Sequence, residues 1–144
     1  MLERAAAAWC VQLAAACKAA VRLTAKYTSE RRQFDKPIAT FQAVGQRAAD
    51  AYIDAEAVHL TAWQAAWRLS EDLPAAEEVA IASYWADEGA QRVVHAAAHL
   101  HGGVGVDRDY PLHRYFLMVK HISQVLGAAS PNLLRLGQLM ADSA

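Results

Sequence analysis

From the first residue to about Tyr27 the chain has neither glycine nor proline, and Leu2, Trp9, Leu13, Val21, Leu23 and Tyr27 stand among alanines and scattered charges. That mixture predicts a helix, because alanine and the unbranched residues lose little freedom in one. Pro37 disfavours helical geometry at the residue before it, so Asp35-Lys36-Pro37 marks a boundary. A second long helix is expected from near Thr40 to near Ser70. Within it Ile53, Ala57, Leu60, Trp63 and Trp67 recur at spacings of three and four, a stripe that should face a partner and whose aromatic part reads as core. Asp50, Asp54 and Arg68 should stay wet. Leu73-Pro74 restarts the chain, with Glu77 and Glu78 near the positive end of a third helix. That helix should last to Leu100 or His101, where Gly102 and Gly103 supply the backbone freedom of a helix end. Tyr110-Pro111 opens a fourth helix, Gly127 ends it, and Ser130-Pro131 reads as the N-cap and first-turn proline of a short last helix.

No alternation of the strand type and no internal repeat is present. The expected fold is all-α, a single up-and-down four-helix bundle over residues 1–144 with a short extra C-terminal helix. Helices of about thirty residues are roughly 45 Å long. Of the 144 residues 33 are alanine, which lets helices approach closely but contributes little apolar area, so part of each long helix should depend on neighbours outside this chain.

Charge and cysteine content narrow the class. Lys+Arg number 14 against 15 Asp+Glu, a formal net charge of -1, with no block of like charge to attract a phosphate backbone or an anionic membrane surface. No nucleic acid and no membrane is expected as partner. No run approaches the roughly 20 consecutive apolar residues of a membrane span, and Glu3 and Arg4 before small alanines lack a leucine-rich signal core. Cys10 and Cys17, seven apart on one helix, lie roughly 10 Å apart along its axis, beyond bonding distance. They read as small core residues of a cytoplasmic protein.

Several clusters raise chemistry. Glu56 and His59 make one Glu-x-x-His pair, but a di-iron bundle needs two. His95, His99 and His101 invite zinc, yet no cysteine or acidic ligand accompanies them; no metal site is expected. His101-Gly102-Gly103-Val104-Gly105-Val106 superficially resembles a phosphate loop, but its glycines close a helix instead of opening one. They still permit another chain or a flat ligand to approach the backbone. Around Glu30-Arg31-Arg32-Gln33-Phe34, Arg31 at a helix end offers two donors to a phosphate and Phe34 a surface for a ring. Judged locally, each segment reads as an ordinary helix end.

Taken together the two are specific. Tyr27 through Gln42 (YTSERRQFDKPIATFQ), followed at a long interval by Leu100 through Phe116 (LHGGVGVDRDYPLHRYF), resembles the C-terminal helical domain of the acyl-CoA dehydrogenase family, and the likeness extends over nearly the whole chain. Members oxidise the Cα–Cβ bond of an acyl-CoA thioester with FAD, and this bundle packs the oligomer while holding flavin across a subunit boundary. Complete members add an N-terminal helical domain and a central β-domain, not expected within these residues, so the chain reads as a fragment or a split subunit. The resemblance implies that Arg31, Phe34 and Gln42 contact FAD and that Gly102 and Gly103 lie against the FAD of an adjoining subunit. It puts His99 where the family often has glutamine.

The reaction needs a carboxylate to take the α-proton. In many members it is the glutamate of a Glu-Gly pair, which aligns here with Leu126-Gly127, and leucine accepts no proton. Ala128 and Ser130 stand where many members have threonine and glutamine that help bind FAD. Some relatives take the base from the first helix, where Glu3 is the only nearby acid; its spacing to Arg31 is about two residues too long, which should rotate it to another face. Loss of the base with retained flavin-facing motifs resembles one partner of the heteromeric acyl-CoA dehydrogenases of actinobacterial steroid-side-chain degradation. The resemblance thus implies a homo- or hetero-oligomer with acyl-CoA dehydrogenase-type subunits, inactive alone, that acts on fatty or steroid side-chain acyl-CoA. The alternative is a non-enzymatic helical interaction module that has kept only the fold.

Overall fold

The computed structural model describes residues 1–143, and in it helices account for most of the chain. Three are long: α1 (Leu2–Glu30, 29 residues), α2 (Gln42–Ser70, 29 residues) and α3 (Ala76–His101, 26 residues). Two shorter ones of 14 residues follow, α4 (Leu112–Val125) and α5 (Ala129–Asp142). The central element is α3, which packs against α1, α2, α4 and α5. Leu13, Cys10 and Cys17 from α1, Val58 from α2, Val79, Val93 and Val94 from α3, and Leu112, Val119 and Ile122 from α4 form the buried core. Alanines 20, 62, 65, 86 and 90 are fully buried between the long helices. Their size lets the axes approach closely, so contact area substitutes for side-chain bulk.

Helix ends follow the punctuation with small shifts. The first helix runs to Glu30, three residues past Tyr27, because the interruption belongs to the following turn. There a two-stranded hairpin forms that no alternation announced: β1 (Arg32–Gln33) pairs antiparallel with β2 (Lys36–Pro37). Its tip residues Phe34 and Asp35 have φ of +51 and +63, the backbone a two-residue hairpin demands, and here neither is glycine. A 3-10 turn over Ile38–Thr40 leads into α2. The last helix begins at Ala129, with Ala128 at φ +65 as its cap, so Ser130 and Pro131 lie inside its first turn.

The second helix corrects the sequence reading. Ile53, Leu60, Trp63 and Trp67 are exposed, the two tryptophans by 59% and 55%, and the buried face is instead Ala51, Ala55, Val58, Ala62 and Ala65. The aromatic stripe is not core within this chain. Asp54 is not wet either, since both its oxygens accept from Arg92, Nε at 2.8 Å and a terminal nitrogen at 2.7 Å. The first helix reaches mean hydropathy 1.3 over an 18-residue window, enough by length and composition to cross a membrane; alanine supplies that value, and Leu13, Cys10 and Cys17 on it are covered by neighbouring helices. The accessible surface is 8513 Å². A compact protein of 15.7 kDa exposes about 7,300 Å², so this fold carries more surface than a self-contained one.

Candidate functional site

The motifs carried by Arg31 and by Gly102-Gly103 meet at one end of the bundle. Arg31 leaves α1 with extended backbone, its N–H donating to the Tyr27 carbonyl at 2.8 Å and its own carbonyl accepting from Ile38 N–H at 2.8 Å. The hairpin is thereby folded back against the end of α1. The Arg31 side chain is exposed, and among the described residues no carboxylate forms an ion pair with it. Phe34, forced outward by the left-handed tip, is 86% exposed. Its ring meets Phe41 edge-on at 6.2 Å between centroids. Phe41 caps α2, whose first residue is Gln42, so a free guanidinium, an exposed phenyl and an exposed amide share one corner.

Across the chain, His101 closes α3 and Gly102 follows with φ +60 and ψ −140, backbone that favours glycine.

 The turn is open: a Cβ at Gly102 or Gly103 would meet nothing within 4 Å. Gly105 is the reverse, since a Cβ there would sit 2.7 Å from the Ala98 carbonyl oxygen, so it holds the turn down onto α3. The ring of Tyr27, one helical turn before Arg31, stacks on the His101 ring with centroids 4.4 Å apart, and its hydroxyl donates to the His101 carbonyl at 3.4 Å. That contact joins the end of α1 to the start of the glycine turn. His99 is exposed on the last turn of α3 and, with Ala43, Val44 and Arg47 of α2, lines an open groove of about 550 Å³. The groove begins one residue past Gln42.

These residues fit a nucleotide-bearing flavin. An unpaired guanidinium suits a phosphate, an exposed phenyl suits a ring, and a turn with open space over two glycines admits a flat ligand or its anionic bridge. Nothing inside the chain requires glycine at 103, where the space above the backbone is free.

At the other end of α1, Glu3 lines a cleft of about 250 Å³ together with Leu126, Trp9, Ser83, Asn132 and Arg135. Its carboxylate is 3.8 Å from the Arg135 guanidinium. Leu126 ends α4 and packs partly buried against the core. Two groups absent from the sequence reading fix the turn that carries it. The Asp87 carboxylate on α3 accepts from the Ser123 hydroxyl and from the Ala129 N–H, the latter at 2.7 Å, and Asn132 donates to the carbonyls of Leu126 at 2.8 Å and Ala128 at 2.7 Å. Asp87 stands far from the turn in sequence, and no local pattern announces it.

The histidines separate. His101 is buried and His95 is exposed, and each directs Nδ1 to a carbonyl one turn earlier on α3, that of Ala97 at 2.8 Å and of Gln91 at 2.6 Å. Glu56 pairs with Lys18 at 3.4 Å, and His59 meets Trp63 edge-on at 5.9 Å.

A five-helix all-α bundle with these two paired motifs defines a domain class, and residues 1–133 match the acyl-CoA dehydrogenase C-terminal domain. The chain belongs to the acyl-CoA dehydrogenase family. It is 49% identical to acyl-CoA dehydrogenase FadE27 of Mycobacterium tuberculosis, over 85% of this chain and 35% of that protein. With acyl-CoA dehydrogenase FadE28 of the same organism it shares 42% identity, over 82% of this chain and 35% of that one. Among solved structures it resembles a chain of the ChsE4-ChsE5 complex from Mycobacterium tuberculosis, with TM-score 0.90 and 47% identity over 94% of this chain and 37% of that chain. A chain of the Tcur3481-Tcur3483 steroid ACAD G363A variant matches with TM-score 0.93 and 46% identity, over 99% of this chain and 39% of that chain. The chain therefore spans little more than a third of the length of these relatives.

Proposed function

We propose that this chain is the FAD-contacting, oligomerising helical domain of an acyl-CoA dehydrogenase-type flavoprotein that forms an α,β double bond in an acyl-CoA thioester, and that it is inactive alone. Arg31 supplies a guanidinium for a phosphate oxygen, Phe34 a face for a ring and Gln42 an amide, while Gly102 and Gly103, with His99 beside them, leave room for FAD held with an adjoining subunit. Bound FAD supplies a hydride acceptor. Leu126 contributes apolar surface to its cleft and cannot take the α-proton, so a carboxylate from an unlike subunit does so.

The observation that carries this reading is the length of α1. Its 29 residues span about 43 Å at 1.5 Å per residue. Arg31 stands at one end and the Glu3–Leu126 cleft at the other, too far apart to serve one flavin within one chain. Each end then belongs to a different site, completed by another subunit. The exposed Ile53, Leu60, Trp63 and Trp67 give such a subunit an apolar surface to cover. Similarity to chains of the ChsE4-ChsE5 and Tcur3481-Tcur3483 structures supports an acyl-CoA dehydrogenase-type partner, and the word steroid in the latter's name supports a steroid side-chain acyl-CoA as substrate, in the cytoplasm.

The test is purification of the chain alone and with a neighbouring acyl-CoA dehydrogenase subunit, followed by bound-flavin absorbance and dye reduction with acyl-CoAs. The pair should be yellow and active and the chain alone inactive; turnover by the isolated chain overturns the reading. Leu126, Ala128 and Ser130, at positions where many members carry functional side chains, favour a second reading, a helical interaction module without flavin. It predicts a colourless complex.

A further inference from the structure

We propose that His101 is the positioning residue of the Gly102-Gly103 turn: its neutral imidazole holds the turn in shape for the ligand that lies against it, and protonation releases the turn. The inference rests on the proposed reading that this turn faces FAD.

His101 is only 3% exposed and its hydrogen bonds determine its tautomer. Nδ1 faces the Ala97 carbonyl at 2.8 Å and so carries the proton. The lone pair is then on Nε2, which accepts from the Tyr110 hydroxyl at 3.2 Å.

 Tyr27 covers the ring face, 4.4 Å away and inclined by 24°. The residue just before Gly102 is therefore tied to its own helix, to the end of α1 and to the segment entering α4. A Cβ built on Gly105 would lie 3.1 Å from the His101 Cβ, so the turn folds back over the same side chain. A leucine or phenylalanine could fill this volume, but only a group with a donor on one edge and an acceptor on the other links Ala97 to Tyr110.

The same arrangement offers an imidazolium no carboxylate. Tyr27 faces the ring from α1 and Tyr110 from the segment before α4; α3 presents the Ala97 carbonyl and the glycine turn presents backbone. Burial, and after it Tyr27 and Glu30 at the end of α1, raises the Tyr110 phenol above its ordinary value. No carboxylate bonds to the imidazole among the described residues. Burial lowers the His101 pKa below 6.5, against a smaller opposing effect of the Ala97 hydrogen bond. Adding a proton removes the acceptor at Nε2, so the Tyr110 hydroxyl must turn its hydrogen away and can meet the ring only as an acceptor, which changes the link between His101 and the segment before α4.

The experiment measures FAD retention by flavin fluorescence from pH 8 to pH 5 in the protein isolated with its accompanying subunits. It also follows the His101 ring nitrogens and the Gly102 and Gly103 amides by NMR in the flavin-free chain. In the unmodified protein the FAD dissociation constant should rise about tenfold per pH unit below the His101 pKa. His101→Gln, which keeps a donor and an acceptor, should retain FAD with that pH dependence abolished; His101→Phe should bind about tenfold more weakly at every pH. The ring nitrogens should report the Nδ1–H tautomer at pH 8, and both glycine amides should shift at the His101 midpoint. Equal pH slopes in the unmodified and His101→Phe proteins, or a His101 titration that leaves both amides unmoved, overturns the proposal. If no form retains FAD at any pH, the flavin reading fails while the amide shifts still decide the role of His101 in shaping the turn. The NMR arm needs no variant, so a substitution that fails to fold leaves the proposal open to refutation.

Discussion

Glu3 and Leu126 line one cleft, the first from the opening turn of α1 and the second from the residue that ends α4. The only cation among the lining residues is Arg135, on α5, 3.8 Å from Glu3, a half-exposed pair whose attraction water screens. A carboxylate placed at 126 would thus enter a partly apolar space that already holds one negative charge.

That juxtaposition sets the outcome of Leu126→Glu in the assembly proposed above. The substitution should raise acyl-CoA-dependent dye reduction above the level that the unlike subunit's carboxylate already supports. The acid limb of its pH–rate profile should lie above 4.3, because partial burial and the neighbouring Glu3 both disfavour a second carboxylate. Adding Glu3→Gln should move that limb toward lower pH. A limb that Glu3→Gln leaves in place would mean that the two positions do not interact.

Two glycines in the same turn should behave oppositely when replaced by alanine. At Gly105 the added methyl collides with Ala98 backbone at 2.7 Å, and backbone yields little, so Gly105→Ala should destabilise by about 2 kcal/mol. At Gly103 the methyl enters open space, so stability should change by less than about 0.5 kcal/mol while FAD retention falls. Urea denaturation and flavin fluorescence on the same preparations separate the two effects.

Stripping the outward face of α2 should affect assembly and spare the fold. Trp63→Ser with Trp67→Ser removes apolar area that this chain does not bury; unfolding free energy should hold within about 0.5 kcal/mol, whereas sedimentation should show loss of the oligomer. A variant that still assembles fully would remove this face from the interface.

Sequence and structure agree where punctuation is strong. Pro37, Gly102, Pro111 and Gly127 bracket the helices because each imposes or permits a backbone geometry that its neighbours do not. They part on α2, where periodicity located the wrong face: the buried positions are mostly alanines, whose small side chains barely mark a stripe, while the bulky Ile53, Leu60, Trp63 and Trp67 lie outside. The Arg31 and Gly102-Gly103 segments were legible as motifs, but their joining through Tyr27 and His101, which are 74 positions apart, depends on packing that no local pattern encodes. The same holds for Asp87, whose hydrogen bonds reach the α4–α5 turn 36 and 42 positions later.

Asp87 supplies a further prediction. Its carboxylate satisfies the Ser123 hydroxyl and the first backbone N–H of α5, and a carboxylate there also suits the positive end of that helix. Asp87→Ala should cost about 2 kcal/mol by leaving both donors without a partner. Hydrogen exchange at Ala129 should accelerate well beyond that at Val93 in the core of α3. Uniform acceleration across the chain would show that Asp87 acts on global stability and not on the turn.

The two cysteines make alkali the condition that loosens this fold. Burial raises Cys10 from 9.0 to about 11, partly offset by Ser83, and raises Cys17 from 9.0 to about 12, with Asp54 adding to the effect. Below pH 9 both thiols are protonated in the folded and unfolded chains, so the stability they contribute is fully present. Between pH 9 and 11 the unfolded chain releases both protons while the folded chain keeps them, and stability falls as pH rises, by up to about 1.4 kcal/mol per pH unit for each thiol. Urea midpoints at pH 8, 9, 10 and 10.5 should therefore decline with a slope that Cys10→Ala with Cys17→Ala reduces, even though the doubly substituted core is weaker at every pH. Iodoacetamide at pH 8 should label neither thiol until urea unfolds the chain, because the thiolate is the nucleophile. Rapid labelling of native protein, or a slope unchanged by the double substitution, would show that the thiols are not held in the buried neutral state.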